Sequence, residues 1–279
     1  HLKSGKSEIL LLIMLSLTFI WHDCFVLTTE KFSMVFDFWM DPTVKKGELP
    51  RFLKMVDAGK PLYVVVSHHH KDHFTKEIFD WVNYHPDIRY VISEDTAKRI
   101  RHILKSDSLY KGNKPNENKV AILKPGDRYS DSLVKITAFG STDIGNSYLM
   151  ESEGKKFFHA GDLNAWTWVE ESTSEEVEEA ISSYEKILNE IALNSSEMEY
   201  VMFPVDARIG SGFYTGAKKL SGKIKVKRFF PMHFCLGENE NEATAFRLAA
   251  ADFENYMRKG FGEYIALLSP YSRYATSED

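Results

Sequence analysis

Four histidines and an aspartate fall within six positions in YVVVSHHHKDHF, Tyr63 to Phe74, directly after an apolar run. Neutral imidazole nitrogen and carboxylate oxygen are the donors that borderline divalent cations favour, with zinc the default occupant. His68, His70, Asp72 and His73 follow the spacing H-x-H-x-D-H, leaving His69 and Lys71 as the positions that point away. A loop at the carboxyl end of a buried strand can aim several side chains at one point. It cannot complete a coordination sphere alone, so distant residues must supply further donors. A chance surface cluster is the competing explanation, and the spacing weighs against it.

Two later stretches have the right form. KFFHAGDLN is an apolar-leaning strand that breaks at Gly161 and exposes Asp162. Alone, that residue would more often be a turn aspartate. RFFPMHF delivers His233 after another apolar run, where a lone histidine is usually just packed. The H-x-H-x-D-H loop reverses both readings, because a metal needs such partners. His159 reads as buried or as a group behind the ligands. Trp166 and Trp168 could wall a pocket or pack in the core, and His22 reads as packed. Asp206 and Arg208, in FPVDARIGSGFYTG, are candidate substrate contacts, a local salt bridge being the plainer alternative.

Elements that could position these residues follow from periodicity and turn chemistry. Strands are expected at 17–20, 25–28, 34–38, 62–67, 90–92, 120–123, 133–138, 147–151, 156–159, 200–203, 228–231 and 264–268. Helices are expected at 76–84, 94–105 with Ser93 as N-cap, 174–193 and 242–258. KPGD at 124–127 and ESEGKK at 151–156 read as hairpin turns, and a further turn falls at Thr29-Glu30-Lys31. The basic run KKLSGKIKVKR, Lys218 to Arg228, alternates in a strand-like way and reads as a solvated sheet face. Strands and helices mixed throughout point to packed sheets with helices outside.

The 279 residues contain 43% hydrophobic and 27% charged side chains, with a formal net charge of −5, so a polyanion binder is not the default. Cys24 and Cys235 form neither a disulfide framework nor a zinc ribbon; both read as core residues in a reducing cytoplasm. The apolar run 9–20 is shorter than the roughly 20 residues a membrane span takes, and no small-x-small cleavage site follows it. A sheet edge is therefore preferred to a targeting signal. Residues 1–13 read as an extension ahead of Met14, and 14–279 as a single domain. No serine-nucleophile elbow or Walker loop is present.

Taken together, the segments from Leu17 onward resemble the metallo-β-lactamase superfamily. The resemblance implies a four-layer αββα sandwich whose first hairpin ends in an aspartate-containing turn, with Asp37 or Asp41 in a structural part. It implies that Asp162 bridges two metals and that His233 is the last histidine ligand. The family usually has a histidine after a segment like ITAFGS. Here none lies between His102 and His159, and Asp143, in FGSTDIGNSYLM, takes the best-matching position, with an Asx turn before Gly145 as a near-equal alternative. One site would then hold His68, His70, Asp143 and Asp162, the other Asp72, His73, His233 and Asp162. FGSTDIGNSYL with GDLNAW looks like a bacterial branch related to the ascorbate-6-phosphate lactonase group.

The expected function is a hydrolase using one or two divalent ions, zinc first and manganese or iron as alternatives, on a small phosphoester or lactone/ester-type metabolite. Asp72 would both ligate and orient the attacking water, and Asp206 is one option for protonating the leaving group. The partner is a small molecule, with no nucleic acid or membrane; a homo-oligomer stays open. The rival reading is a metal-binding or scaffold protein of the same fold with weak or no catalysis.

Overall fold

Leu62–Val66 carries the β-branched, apolar sequence of a strand buried on both faces, and in this computed structural model it lies inside a seven-stranded sheet. The structure describes residues 14–105, 109–111, 114–115, 119–234 and 262–277. In chain order the first half supplies β1 (Met14–Trp21), β2 (Cys24–Thr28), β3 (Ser33–Phe36), β4 (Leu62–Val66) and β5 (Ile88–Ser93). A two-stranded hairpin, β6 (Tyr110–Lys111) and β7 (Lys114–Pro115), precedes β8 (Val120–Leu123). The second half supplies β9 (Arg128–Ser130), β10 (Lys135–Phe139), β11 (Ser147–Ser152), β12 (Lys155–His159), β13 (Glu197–Pro204), β14 (Lys225–Met232), β15 (Glu263–Tyr264) and β16 (Arg273–Ser277).

One sheet runs β16-β1-β2-β3-β4-β5-β8 and the other β15-β14-β13-β12-β11-β10-β9. Alternate residues of both sheets meet in one core: Phe19, Phe25, Tyr63 and Val65 from one side, Tyr148, Phe158, Met202 and Phe230 from the other. Helices α2 (Ser174–Asn194) and α3 (Thr215–Lys223) cover the second sheet through Tyr184, Leu188, Ile191, Ala217 and Leu220. The outer face of the first sheet packs beneath 3₁₀ turns at Arg51–Lys54 and Lys76–Asn83 and the short helix α1 (Glu94–Arg99). The result is the expected four-layer αββα sandwich. The helix α2 begins with a full capping box, Thr173 and Glu176 bonding each other's backbone N–H.

Several expectations are corrected. The helix at 94–105 stops at Arg99, and that at 76–84 is 3₁₀, where Pro86 forbids continuation. Lys218–Arg228 is not one strand: α3 occupies its first half despite Gly216 and Gly222, and alternation starts only at Lys225. KPGD joins β8 to β9, which lie in different sheets, so it is a crossover turn; Glu153-Gly154 does close the β11–β12 hairpin. β1 is no edge, because β16, which carries no strong strand signal, pairs outside it. The strand expected at 264–268 is limited to Glu263–Tyr264. The expected helix at 242–258, Cys235 and residues 1–13 lie outside the described residues. Among the described residues no helix is long and apolar enough to cross a membrane.

Candidate metal centre

β3 and β4 are parallel, so the loops that follow them open at one end of the sandwich. Parallel β12, β13 and β14 likewise deliver the loops bearing Asp162, Asp206 and His233. Two glycines let the loops close up. Gly145, at φ +78°, lies so near the histidine loop that a Cβ would sit 2.2 Å from the Ser67 carbonyl oxygen, and Asn146 N–H bonds that same oxygen at 3.0 Å. Gly161, at φ +52°, presses on Ser67 in the same way. Thr142 Oγ1 then donates to the Asn164 carbonyl at 2.6 Å, fixing the Asp143 loop against the Asp162 loop.

The two oxygens of Asp162 face different histidines. Oδ2 lies 3.2 Å from His68 Nε2, which is 3.1 Å from His70 Nδ1; His70 Nδ1 is 3.5 Å from Asp143 Oδ2. Oδ1 lies 3.1 Å from His73 Nε2 and 3.0 Å from His233 Nε2, and Asp72 Oδ2 is 3.8 Å from His73 Nε2. His68, His70, Asp143 and Asp162 lie together in one group, and Asp72, His73 and His233 in another.

The imidazoles are held in the tautomer a metal needs. His73 Nδ1–H donates to Asp37 Oδ2 at 2.9 Å, and His233 Nδ1–H donates to Asp206 Oδ2 at 2.9 Å. His68 Nδ1–H donates to Ser67 Oγ at 2.9 Å, whose own hydroxyl donates to Asp37 Oδ2 at 2.6 Å. Each relay turns Nε2 toward Asp162, the nitrogen that would bind a metal once deprotonated. His69, turned outward, caps the loop through Asp95 at 2.8 Å.

These residues fit a divalent cation. Nε2 of His73 and His233 and Oδ1 of Asp162 are buried and make no hydrogen bond, an arrangement that costs free energy unless something cationic sits among them. Tetrahedral bonds of 2.0–2.1 Å put neighbouring donors about 3.3 Å apart, close to the separations above. Burial disfavours charge on His73 and His233, yet Asp162 and Asp23 outweigh it and raise both pKa values, that of His233 to about 10. Burial likewise opposes ionisation of Asp162, but His73 and His233 hold it well below the usual carboxylate range. The cluster attracts positive charge.

Two donors escaped the sequence reading. His22 and Asp23 form the two-residue tip of the β1–β2 hairpin, fully buried, with His22 at φ +59°. His22 Nε2 is 3.6 Å from Asp72 Oδ2, and its ring lies 4.3 Å from that of His233; it groups with Asp72, His73 and His233. Asp23 groups with His73, Asp162 and His233. Burial, helped by His233, lowers the His22 pKa to about 3; burial also raises that of Asp23 to about 8, against the pull of His233 and His73. The available signal was a polar pair at a hairpin tip between apolar strands. His159 is buried, stacked on Phe36, and bonds the Asp23 carbonyl at 2.9 Å.

Asp206 is buried and engaged with Arg208 as well as His233, so the local salt bridge is the arrangement found. Its carboxylate lies behind the imidazole, which corrects its placement as a substrate contact and as the leaving-group acid. Arg208 is held in that pair. Trp166 donates Nε1–H to the Asp162 carbonyl at 2.8 Å, its ring 5.4 Å from His233, whereas half-buried Trp168 forms a turn to Glu171. Asp41 is structural, accepting from Thr43, the Arg51 N–H and Tyr271.

An αββα sandwich with a histidine–aspartate cluster at the carboxyl ends of its strands defines a metal-dependent fold of the hydrolase type. The chain belongs to the beta-lactamase superfamily domain family, whose model matches residues 35–234. Comparison with curated proteins gave no match. Among solved structures it is similar to Igni18, a metallo hydrolase from Ignicoccus hospitalis, at 14% identity and TM-score 0.64, covering 95% of this chain and 100% of that one. It is also similar to the metallo-beta-lactamase fold protein YhfI from Bacillus subtilis, at 11% identity and TM-score 0.57, covering 95% and 100%. CmlA, a diiron beta-hydroxylase from Streptomyces venezuelae, matches at 10% identity and TM-score 0.61 over 94% of this chain but only 54% of its own. Such identities speak for the fold alone.

Proposed function

We propose that this protein is a divalent-metal-dependent hydrolase acting on a small phosphoester or lactone/ester-type metabolite. The observation that carries the reading is the division of Asp162, one oxygen toward His68 and the other toward His73 and His233. His68, His70, Asp143 and Asp162 would hold one ion, and Asp72, His73, His233 and Asp162 the other, with His22 and Asp23 as further donors. Ions held there would lower the pKa of bound water from about 15.7 toward 7 and polarise the oxygen under attack. Zinc is the first choice; the added carboxylate donors also suit manganese or iron.

Access is from one side. His68, His73, Asp162 and His233 are buried, whereas His70 and Asp143 are 43% and 41% exposed and Asp72 25%. Substrate would enter over these three, with Trp166 beside it. Although burial opposes it, the bond to His22 and the charge of His73 keep Asp72 ionised, so its carboxylate can accept a hydrogen bond from, and orient, an attacking water. The resemblance of FGSTDIGNSYL and GDLNAW to a branch related to the ascorbate-6-phosphate lactonase group suits this substrate class.

The exposure of His70 and Asp143 also favours a second reading, a one-ion or scaffold protein with weak catalysis. Elemental analysis after purification without added metal separates them. Two ions per chain, with turnover of a phosphodiester or lactone that Asp162→Asn abolishes, supports the hydrolase. No bound metal after reconstitution overturns it.

A further inference from the structure

The loop after β3 and the stretch after His73 enclose a cavity of about 380 Å³, within the range of small-molecule sites. It shares the metal-binding loop but none of the candidate ligands. Phe38, Trp39, Met40, Val44 and Phe74 form apolar walls, and Lys71, which separates His70 from Asp72, stands at its rim with Lys45 and Lys46. Its three carboxylates are unequal. Asp41 is buried, and its oxygens accept from Thr43, Arg51 N–H and Tyr271. Glu48 and Glu77 are exposed. Among the described residues, no ion pair within 4 Å engages Lys45, Lys46 or Lys71. Three ammonium groups therefore stand exposed at the mouth of an apolar slot, beside two solvated carboxylates and one buried, hydrogen-bonded one.

We infer that this cavity binds an anionic small molecule with an apolar body, an arene or branched acyl group bearing a carboxylate, sulfonate or phosphate. The apolar part would lie against Phe38, Trp39 and Phe74, and the anion would meet Lys71 and the Lys45–Lys46 pair. For the reaction, this deepens the hydrolase reading above and rests on it. The cavity anchors the uncleaved, negatively charged end of the substrate while the adjacent loop presents the bond to be broken. Binding itself does not depend on catalysis.

The test titrates metal-loaded protein with 2-naphthalenesulfonate by calorimetry, a sulfonate being a poor donor to divalent cations. The expected result is saturable one-to-one binding, weakened about tenfold by Lys71→Ala and by Lys45→Ala/Lys46→Ala and weakened by added salt. All three lysines are exposed, so these variants keep the fold and the metal content. Asp162→Asn, which removes turnover if the hydrolase reading holds, should leave this binding unchanged. Absent binding, binding indifferent to the lysines, or binding lost with Asp162→Asn each overturns the inference. Binding that survives while no substrate is ever turned over sinks only the hydrolase reading.

Discussion

Asp206 Oδ2 lies 2.9 Å from His233 Nδ1, and this bond fixes both the tautomer and the direction of the imidazole facing Asp162. The same carboxylate is clamped by Arg208, so the histidine is held from behind by a rigid pair. Asp37 does the same for His73.

Removing that support should weaken metal binding without unfolding the chain. Asp206→Ala is expected to lower affinity for the ion on the His233 side about 10–100-fold. Competition with a chromophoric chelator measures it; an unchanged affinity would show the pair to be merely structural.

Asp143 stands where only the tertiary structure can bring a carboxylate to His70. Asp143→Ala should reduce the metal content by about one ion per chain while leaving the other in place. Elemental analysis reads this directly, and unaltered stoichiometry returns Asp143 to a turn role.

Gly145→Ala tests the close approach of the two loops. Its Cβ would sit 2.2 Å from the Ser67 carbonyl oxygen at a positive φ, so the Asp143 loop must move. A stability loss of about 1–3 kcal/mol in chemical denaturation is expected, with weakened binding at His70. A variant as stable as the parent would contradict the packing described.

Metal binding should release protons. The metal-free pKa values of His73 and His233 are raised, His233 to about 10, and a ligating nitrogen must be deprotonated. Affinity should therefore rise with pH from 6 to 9. Calorimetry in buffers of different ionisation enthalpy counts the protons; a pH-independent affinity would argue against these ligands.

A separate clamp joins the sheets. Asp131 accepts from Tyr63 on β4, Arg89 on β5 and Tyr129 on β9. Burial opposes its ionisation, but Tyr63 and the N–H groups of Val134 and Leu133 lower its pKa to about 2. Because the folded pKa is depressed, the stabilisation is complete above about pH 4, the unfolded value, and fades as pH falls toward 2. Asp131→Ala should cost about 1–3 kcal/mol at pH 7. Urea melts of the metal-free proteins should show that difference shrinking below pH 4.

Local chemistry is legible in a single chain. H-x-H-x-D-H after a valine run announces its donors because the loop's own spacing brings them together, and Asp162 and His233 stand out because each ends an apolar strand. Strand periodicity reveals most of both sheets for the same reason: burial on alternate faces is written within each segment. The choice between a turn aspartate and a ligand at position 143 lay elsewhere. A glycine contact to a loop nearly 80 positions away brings Asp143 to His70, and no local pattern encodes it. His22 reads as merely packed, Asp23 gives no signal of its own, and Asp206 reads as a candidate substrate contact; only the packing of the sheets places all three around His233. β16 joined β1, and α3 formed over two glycines, because neighbouring elements offered partners that outweighed weak propensity. Sequence specifies which side chains can bind a cation; which of them share one desolvated volume is decided by packing between segments far apart in the chain.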